Sequence, residues 1–251
     1  MLLLIVAQEA RAQAPPAYKL SWEVDAPLIL VSGALASSFF LLNEGEAPVC
    51  SPLCNPANIN AFDRGAAGNY DEGWSSTGDI ATAATILIGP AFLVIFEGLG
   101  NGLNDTLVVG EAALAASALQ VVTSYAIKRP RPRVYGDKAP IDDRNDANAG
   151  RSFYSGHTAN GVAATVATSI AFFRIDNPVL GWVTLGVGLL GSTMIGVARI
   201  QAGGHFPSDV LVGAAIGAGF GIAVPALHEA HLKLAPLPVE EGQGLSIMGR
   251  F

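Results

Sequence analysis

The sequence predicts an all-α protein built as a bundle of about six apolar helices. Hydrophobic residues make up 51% of the 251 residues, and the mean hydropathy is +0.42. Charged residues make up 14%, against roughly 25% in average soluble domains. Six stretches are apolar on every side and nearly free of charge, which is typical of helices buried against protein or lipid. They are Ala26–Leu42, Ile80–Phe96, Thr106–Ile127, Thr158–Phe173, Pro178–Val197 and Val210–Leu227.

Composition and charge exclude several classes of protein. A chain this apolar can bury a large core, which excludes a disordered protein. The formal net charge of −7 argues against a nucleic-acid binder, and a long coiled coil needs far more charged residues. A helical membrane protein or an unusually apolar soluble protein remains. Stretches of this length are marginal to adequate for crossing about 30 Å of hydrocarbon.

The first residues have the composition of a secretory signal. The apolar stretch Leu2–Ala7 is followed by two overlapping A-x-A patterns between Ala10 and Ala14, which are typical of a cleavage region. We therefore predict a signal segment at residues 1–14 and a helical domain at residues 15–228.

The last residues, 229–251, are predicted to form a tail outside the helical domain. Apolar and polar residues alternate on both sides of Glu240–Gly244. The tail is therefore expected to be a small β-hairpin or a loose end.

Two cysteines, Cys50 and Cys54, lie in a stretch rich in Pro, Asn and Gly, which is typical of an exposed loop. They could close a small disulfide loop in an oxidising compartment. They cannot form a zinc site alone, because four ligands are normally needed. A disulfide and a signal segment would both place the protein outside the cytoplasm.

Three glycines, Gly213, Gly217 and Gly221, recur at four-residue spacing in the last apolar stretch. Small residues on one helix face let two backbones approach closely. The stripe indicates either tight packing inside the bundle or a contact between two copies of the chain.

Half of the basic residues lie in one short segment, residues 128–151. Seven basic residues there outnumber four aspartates, so the segment carries a charge of +3 within a chain of net charge −7. A cationic patch on an acidic chain indicates an anionic ligand, although a cytoplasmic loop of a membrane protein has the same composition. The residues around the segment favour the ligand.

Two of the four histidines, His157 and His205, each open an apolar helix-like stretch. Ser155 precedes His157 as a helix N-cap. The unpaired N–H groups of that first turn, together with the helix dipole, form a cradle for an anion.

Asp209 follows His205 by four residues, so both side chains lie on one face if the segment is helical. An aspartate on one ring nitrogen fixes the tautomer and leaves the other nitrogen nucleophilic. His157 supplies a second proton donor, and planar guanidinium groups suit phosphate oxygens. The guanidinium groups are those of Arg131, Arg151 and Arg199. Together these residues supply what phosphoryl transfer requires.

The remaining polar residues are given no catalytic role. Asp63 and Asp79 are expected to be solvated pairs or helix caps. His228 and His231 lie past the last apolar helix and are expected to be surface histidines or helix C-terminal histidines. Glu111, inside an apolar stretch, is expected to pair with a buried polar group or to mark a helix that does not face lipid. We expect no metal and no cofactor, because the spacing lacks the H-E-x-x-H and C-x-x-C patterns.

The three motifs, in this order, resemble those of the type 2 phosphatidic acid phosphatase (PAP2) superfamily, which also contains bacterial class A acid phosphatases and vanadium haloperoxidases. The family pattern is K-x6-R-P, then P-S-G-H, then S-R-x5-H-x3-D. The third motif here reads Arg199-x5-His205-x3-Asp209, with Ala198 in place of Ser. The resemblance spans about Thr106–Leu227.

The other two motifs each depart from the family pattern at one residue. Tyr154 replaces the Pro of the second motif. Ser124 stands where the first motif, ending here at Arg131–Pro132, has Lys. This departure removes one family cation, for which Lys128 or Arg129 could compensate.

The resemblance implies a role for each matching residue. His205 would attack phosphorus and form a phosphohistidine, Asp209 would orient it, and His157 would protonate the leaving oxygen. The phosphoryl oxygens would be held by Arg131, Arg199, Ser155, Gly156 and Lys128.

The expected activity is that of a metal-independent phosphatase acting on a phosphomonoester or pyrophosphate of a lipid, such as phosphatidic acid, undecaprenyl pyrophosphate or lipid A phosphate. The alternatives are a soluble periplasmic acid phosphatase of broad specificity, a vanadate-dependent haloperoxidase and a non-catalytic phosphate-lipid binding protein.

The expected location is the bacterial inner membrane with the active site facing the periplasm, or the periplasm itself. Crossing six stretches puts the connectors that carry the motifs, and the Cys50–Cys54 loop, on one face. A cleaved signal combined with a crossing Ala26–Leu42 would instead turn the site toward the cytoplasm. Either the N-terminus is uncleaved, the first stretch does not cross, or the bundle is soluble in the periplasm.

Overall fold

The computed structural model describes residues 16–41, 49–50, 53–228, 233–239 and 242–248. The predicted signal segment lies outside these ranges, as does His231. The division of the chain into signal, helical domain and tail stays a prediction.

Apart from two strands near the C-terminus, the described part of the chain is an all-α bundle of six main helical passes, as the sequence predicts. Its α-helices are α1 (Trp22–Leu41), α2 (Glu72–Ile127), α3 (Ile141–Asn145), α4 (Gly156–Arg174), α5 (Pro178–Gln201) and α6 (Pro207–Leu227). Short 3-10 helices lie at Pro56–Asn58, Arg64–Ala66, Pro132–Tyr135 and Ala147–Gly150. Helix α2 supplies two of the six passes, because the chain reverses within it.

The reversal in α2 occurs at Gly98, whose φ of 79° and ψ of 175° are not helical. Glycine adopts a positive φ without steric penalty. The two arms then approach so closely that a Cβ on Gly102 would lie 2.4 Å from the Cα of Val94. The sequence predicts a short connector over Gly98–Asp105, whereas the structure keeps these residues in the helix apart from the reversal at Gly98.

Helix α4 lies at the centre of the bundle and packs against α2, α5 and α6. Its buried face consists mainly of small residues, and Phe172 adds one large side chain. The buried alanines of α4 are Ala159, Ala163, Ala164, Ala167 and Ala171. Because these side chains are short, the neighbouring helices can approach α4 closely.

The glycine stripe of α6 faces α4. A Cβ on any of the three glycines would meet a backbone carbonyl oxygen of α4 or its cap. The distance would be 2.5 Å from Gly213 to Ser155, 2.3 Å from Gly217 to Ala159 and 2.9 Å from Gly221 to Ala163. These distances are shorter than any normal contact, so only glycine fits. The stripe therefore serves packing inside the chain, the first of the two interpretations.

Three segments of the described chain are long and apolar enough to cross a membrane: Glu72–Tyr135, Pro178–Gln201 and Pro207–Leu227. Large apolar side chains on these helices point outward. Leu99 and Leu190 are each 73% exposed and Trp182 is 66% exposed. An apolar surface of this extent is typical of contact with lipid.

Two strands follow the bundle. Strand β1 (Lys233–Val239) pairs antiparallel with β2 (Gly242–Met248), and Lys233 lies opposite Met248. The structure therefore has the β-hairpin that was one of the two expectations for the tail.

His228 is the C-cap residue of α6, which agrees with the expectation of a helix C-terminal histidine. It is buried, with 7% exposed, so the alternative of a surface histidine is wrong. The carboxylates of Asp25 and Glu111 lie against its ring and account for the burial. Glu111 does pair with a buried polar group, as expected.

We predict that Gly217→Ala destabilises the bundle. The added methyl group meets the Ala159 carbonyl, and overpacking of this kind costs about 1–3 kcal/mol of unfolding free energy. Thermal unfolding of the purified protein in detergent measures the change. Gly219→Ala is the matched control, because a Cβ at Gly219 meets nothing within 4 Å. Equal stability of the two variants would contradict the packing described here.

Candidate active site

Two helix starts meet at one end of the bundle. Ser155 caps α4, and its Oγ accepts a hydrogen bond from the N–H of Thr158 at 3.4 Å. The N–H of Ser155 donates to the carbonyl oxygen of Asp209 in the first turn of α6, at 3.0 Å. The second and third motifs, distant in sequence, therefore lie side by side.

The imidazole of His205 is buried, with 3% of the residue exposed. Its Nδ1 lies 2.6 Å from the carbonyl oxygen of Ser152. A carbonyl can only accept, so Nδ1 carries the hydrogen and Nε2 keeps its lone pair. Asp209 Oδ2 lies 4.0 Å from Nδ1. The atom that fixes the tautomer is thus a backbone oxygen, whereas the sequence assigned this contact to Asp209.

Asp209 is fully buried and its carboxylate has other partners. Oδ2 accepts from Ser152 Oγ at 2.5 Å and from the Phe206 N–H at 2.8 Å. Oδ1 accepts from the guanidinium of Arg129 at 2.5 Å. Asp209 therefore binds the side chain of Ser152, and His205 binds the backbone carbonyl oxygen of the same residue.

Asp63 supports this arrangement from behind. It is fully buried and accepts hydrogen bonds from the Ser208 N–H at 2.9 Å, from Ser208 Oγ at 2.6 Å and from Arg129 at 2.7 Å. Burial raises the pKa of the Asp63 carboxyl, but the bonds from Ser208, Arg129 and Asn60 outweigh it and lower the pKa overall. Of the two expectations for Asp63, the solvated pair is wrong, because the buried carboxylate compensates the charge of Arg129 and the N-terminus of α6. Asp63 does stand at the N-cap position of the 3-10 helix Arg64–Ala66, although its side chain makes no capping bond there.

A second group of side chains surrounds Arg199, which is 7% exposed. Its guanidinium pairs with Oδ1 of Asp79, and His157 Nε2 lies 3.3 Å from the same oxygen. Asp71 is the N-cap of α2, so Asp79, eight residues later, is not a helix cap. Its carboxylate instead occupies the space between a guanidinium and an imidazole.

Arg131 and Arg199 flank the residue that precedes His205. A Cβ on Gly204 would lie 3.5 Å from a terminal nitrogen of Arg131 and 3.9 Å from Cδ of Arg199. Arg131 is held by the carbonyl oxygen of Asn148, to which its Nε donates at 2.8 Å. The side chains of Arg131 and Arg199 therefore both lie close to the residue before His205.

Both histidines are neutral at pH 7. Burial, aided by the charges of Arg199 and Arg131 and opposed by Asp79, lowers the pKa of His157 to about 4. Burial, with the charges of Arg131 and His157, also lowers the pKa of His205 well below its usual value. A neutral His205 has the free lone pair that a nucleophile needs.

The other predicted site residues lie around this centre. Gly156 starts α4, and a Cβ there would lie 3.2 Å from Gln120 on α2. Lys128 ends α2 with a φ of 49°, and of the eight predicted site residues it alone is exposed. Ser124 is buried, and its Oγ donates to the Val121 carbonyl oxygen of its own helix.

Two further arginines of the basic segment are engaged elsewhere. Arg129 binds Asp209 and Asp63, as described above. The guanidinium of Arg151 lies 3.9 Å above the ring of Tyr125, and the residue is 1% exposed. The arginine charges that act on both imidazole rings are those of Arg131 and Arg199.

A disulfide joins Cys50 and Cys54 at the same end of the bundle. Cys54 donates its N–H to the carbonyl oxygen of Val134 at 3.0 Å and packs with Val134 and Ala149. Since Arg131 donates its own N–H to Ala149, the disulfide loop braces the segment that carries Arg131.

An apolar groove of about 510 Å³ begins near the site and runs between α2, α4 and α5. Its lining includes Ala81, Ile88, Phe92, Thr168, Val187 and Met194. Ala81 is two residues from Asp79 and Met194 is five residues from Arg199, so one end of the groove lies within about two helical turns of these polar groups.

Sequence reasoning missed three contributors: Asp63, Asp79 and Ser152. Each lies outside the three motif patterns or contributes a backbone atom. No sequence signal distinguishes Asp63 or Asp79 from surface aspartates, because their partners come from other helices. Ser152 lies in the second motif segment, but its carbonyl oxygen carries no residue-specific signal.

A comparison with models of protein families identifies one family. A family model described as the PAP2 superfamily matches residues 105–233. Among solved structures, the chain is similar to one described as the first transmembrane PAP2 type phosphatidylglycerolphosphate phosphatase from Bacillus subtilis. That match has a TM-score of 0.47 and 21% identity, and it covers 83% of this chain and 97% of the other. No curated protein matches the chain.

We predict that Asp79→Asn strengthens the binding of a phosphate-like anion. The carboxylate competes for Arg199 and His157, and for an exposed pair the gain is roughly two- to fivefold in affinity. Titration calorimetry with orthovanadate measures it. The substitution also lowers the pKa of His157 further, because Asp79 favours the charged imidazole.

The control for this experiment is Glu72→Gln, which changes an exposed carboxylate on the same helix. We expect it to leave the affinity for orthovanadate unchanged. Weaker binding to Asp79→Asn than to the wild type would contradict the competition.

Proposed function

Because the chain belongs to the PAP2 superfamily, we propose that it is a metal-independent phosphatase that hydrolyses a phosphomonoester or pyrophosphate of a lipid through a phosphohistidine. The observation that carries the proposal is the lone pair of His205 Nε2, held beside two guanidinium groups. A nucleophile, cations and a second imidazole are what phosphoryl transfer needs.

The first step is binding of the phosphoryl group. Arg131 and Arg199 contact its equatorial oxygens, as do the hydroxyl of Ser155 and the N–H of Gly156, and the positive end of the α4 dipole faces the same oxygens. The dianion replaces Asp79 at Arg199. Lys128, exposed at the end of α2, is assigned a role in drawing the anion toward the site.

The second step is attack by His205. Its Nε2 forms a bond to phosphorus while the bond from phosphorus to the leaving oxygen breaks. The ring becomes positively charged as it is phosphorylated, and Nδ1–H stays on the Ser152 carbonyl oxygen. Asp209 stabilises that charge from 4.0 Å and fixes Ser152, so we assign it a positioning role.

The third step is proton transfer by His157. A bound phosphate dianion places negative charge beside the imidazole and raises its pKa. The protonated ring gives its proton to the leaving oxygen. The neutral ring then takes a proton from the water that attacks phosphorus, the bond to His205 breaks, and inorganic phosphate leaves.

The apolar groove supports a lipid as the substrate. It is lined mainly by apolar side chains and begins close to Asp79 and Arg199. Its lining on α2 runs from Ala81 to Phe92, about 17 Å of helix, which is comparable to an acyl chain. A soluble phosphate ester has no acyl chain to occupy such a groove.

The three membrane-length segments and the outward apolar side chains support a location in the bacterial inner membrane. The disulfide at the site end supports an orientation with the site on the oxidising, periplasmic side. Chain reversals place Asp25 at the opposite end, so this orientation puts the start of α1 on the cytoplasmic side.

We predict that His205→Gln abolishes phosphate release, by at least about 10³-fold, because no other group can take the phosphoryl. The measurement is phosphate release from phosphatidic acid in mixed micelles, with EDTA present. His157→Gln is the companion variant. We expect it to slow phosphate release from the lipid by about 10²–10⁴-fold. With p-nitrophenyl phosphate, whose leaving group needs no proton, we expect this variant to accumulate an acid-labile phosphoprotein. Full turnover by His205→Gln would refute the assignment.

We predict that Ala84→Phe separates lipid from soluble substrates. The ring fills the groove, so the KM for phosphatidic acid rises about tenfold or more, while hydrolysis of p-nitrophenyl phosphate is unchanged. Ala83→Phe is the matched control, because Ala83 faces outward on the same turn. Equal losses on both substrates would favour a structural defect, and no loss on either would favour the soluble acid phosphatase.

A further inference from the structure

A second polar cluster lies at the end of the bundle opposite the candidate active site. Asp25 on α1, Glu111 on α2 and His228 after α6 are all buried, and their ligand atoms lie within 4.8 Å of one another. His228 follows Asp209 by 19 residues, which is about 28 Å along α6. The cluster is therefore separate from the phosphate chemistry.

The imidazole of His228 is oriented by a backbone oxygen. Nδ1 lies 2.8 Å from the carbonyl oxygen of Val224, so Nδ1 carries a hydrogen and donates it. Nε2 faces Oδ1 of Asp25 at 2.7 Å and Oε2 of Glu111 at 3.2 Å. Metal-bound histidines usually have this arrangement, with the distant N–H on a carbonyl and the other nitrogen on the ion.

Glu111 is the member of the cluster with the fewest donors. Its side chain is 1% exposed, and Oε2 has only the imidazole of His228 beside it, at 3.2 Å. The second oxygen, Oε1, accepts no hydrogen bond. If His228 is protonated and aligned with Asp25, the three groups still carry a charge of −1. Buried charge without donors is strongly unfavourable.

We propose that Asp25, Glu111 and His228 bind one divalent cation of the zinc type, which joins α1, α2 and the end of α6. A divalent ion with a neutral imidazole brings the charge of the three groups to zero and uses all three lone pairs. Water takes the remaining position. Imidazole together with carboxylate suits zinc and neighbouring first-row metals, whereas Mg²⁺ and Ca²⁺ take oxygen ligands.

The distances are close to those of such a site. Ligand atoms of a tetrahedral zinc with bonds of about 2.0–2.1 Å lie roughly 3.3 Å apart. Glu111 Oε2 is already 3.2 Å from His228 Nε2. Asp25 Oδ1 has to withdraw by roughly 0.6 Å, which a carboxylate near the start of a helix can do by rotating its side chain.

The test uses the full-length protein in detergent, stripped with EDTA and then dialysed against a small excess of ZnCl₂. We expect about one zinc per chain by mass spectrometry and a rise of about 5 °C or more in the unfolding temperature. Glu111→Gln and His228→Gln are expected to lose both the zinc and the rise. If His228→Gln does not fold, the nearly isosteric Glu111→Gln decides.

Two controls locate the ion. Glu23→Gln changes an exposed carboxylate two residues from Asp25 and is expected to keep the zinc. His157→Gln removes an imidazole from the candidate active site and is also expected to keep it. Zinc retained by Glu111→Gln, zinc lost by His157→Gln, or no binding to the wild type would each overturn the proposal. None of these readouts depends on phosphate release, so their failure leaves the proposed phosphatase activity unaffected.

Discussion

The buried carboxylate of Asp209 is the interaction on which the site depends. A fully buried charge is tolerated only when donors surround it, and here they come from separate parts of the chain: Ser152, Arg129 and the backbone of Phe206. Satisfying one charge therefore joins the segment after α2, the approach to α4 and the start of α6. The position of His205 follows, because the backbone of Ser152 is fixed by the same bond.

Helix α6 connects the two polar regions of the bundle. It carries Asp209 in its first turn and ends at His228, and the glycine stripe between them lets it lie directly on α4. Few charged residues lie along this length. Electrostatic interactions therefore concentrate at the two ends of α6, and its middle is held by close packing against the backbone of α4. The end near Asp209 is rich in guanidinium groups, whereas carboxylates dominate around His228.

Much of this could be predicted from the sequence because it depends on local pattern. Uninterrupted apolar runs indicate helices, and motif spacing placed His157, His205 and Asp209 at helix starts. The partners of those residues could not be predicted, since Asp63 and Asp79 reach their guanidinium groups across helices. Spacing along one helix gives a face, but it does not say which neighbour covers that face. For the same reason the burial of His228 at its helix end could not be predicted.

In this bundle the small side chains lie inside and many large apolar side chains lie outside, which is the reverse of a typical soluble protein. Its packed interior is largely alanine and glycine, while leucine, isoleucine and tryptophan project outward. Tolerance of mutation is inverted accordingly. Outward positions such as Leu190 can exchange freely among bulky aliphatic residues, whereas at Ala163 or Gly217 a single added carbon separates two helices. Sequence change in this chain is therefore constrained most strongly at its smallest residues.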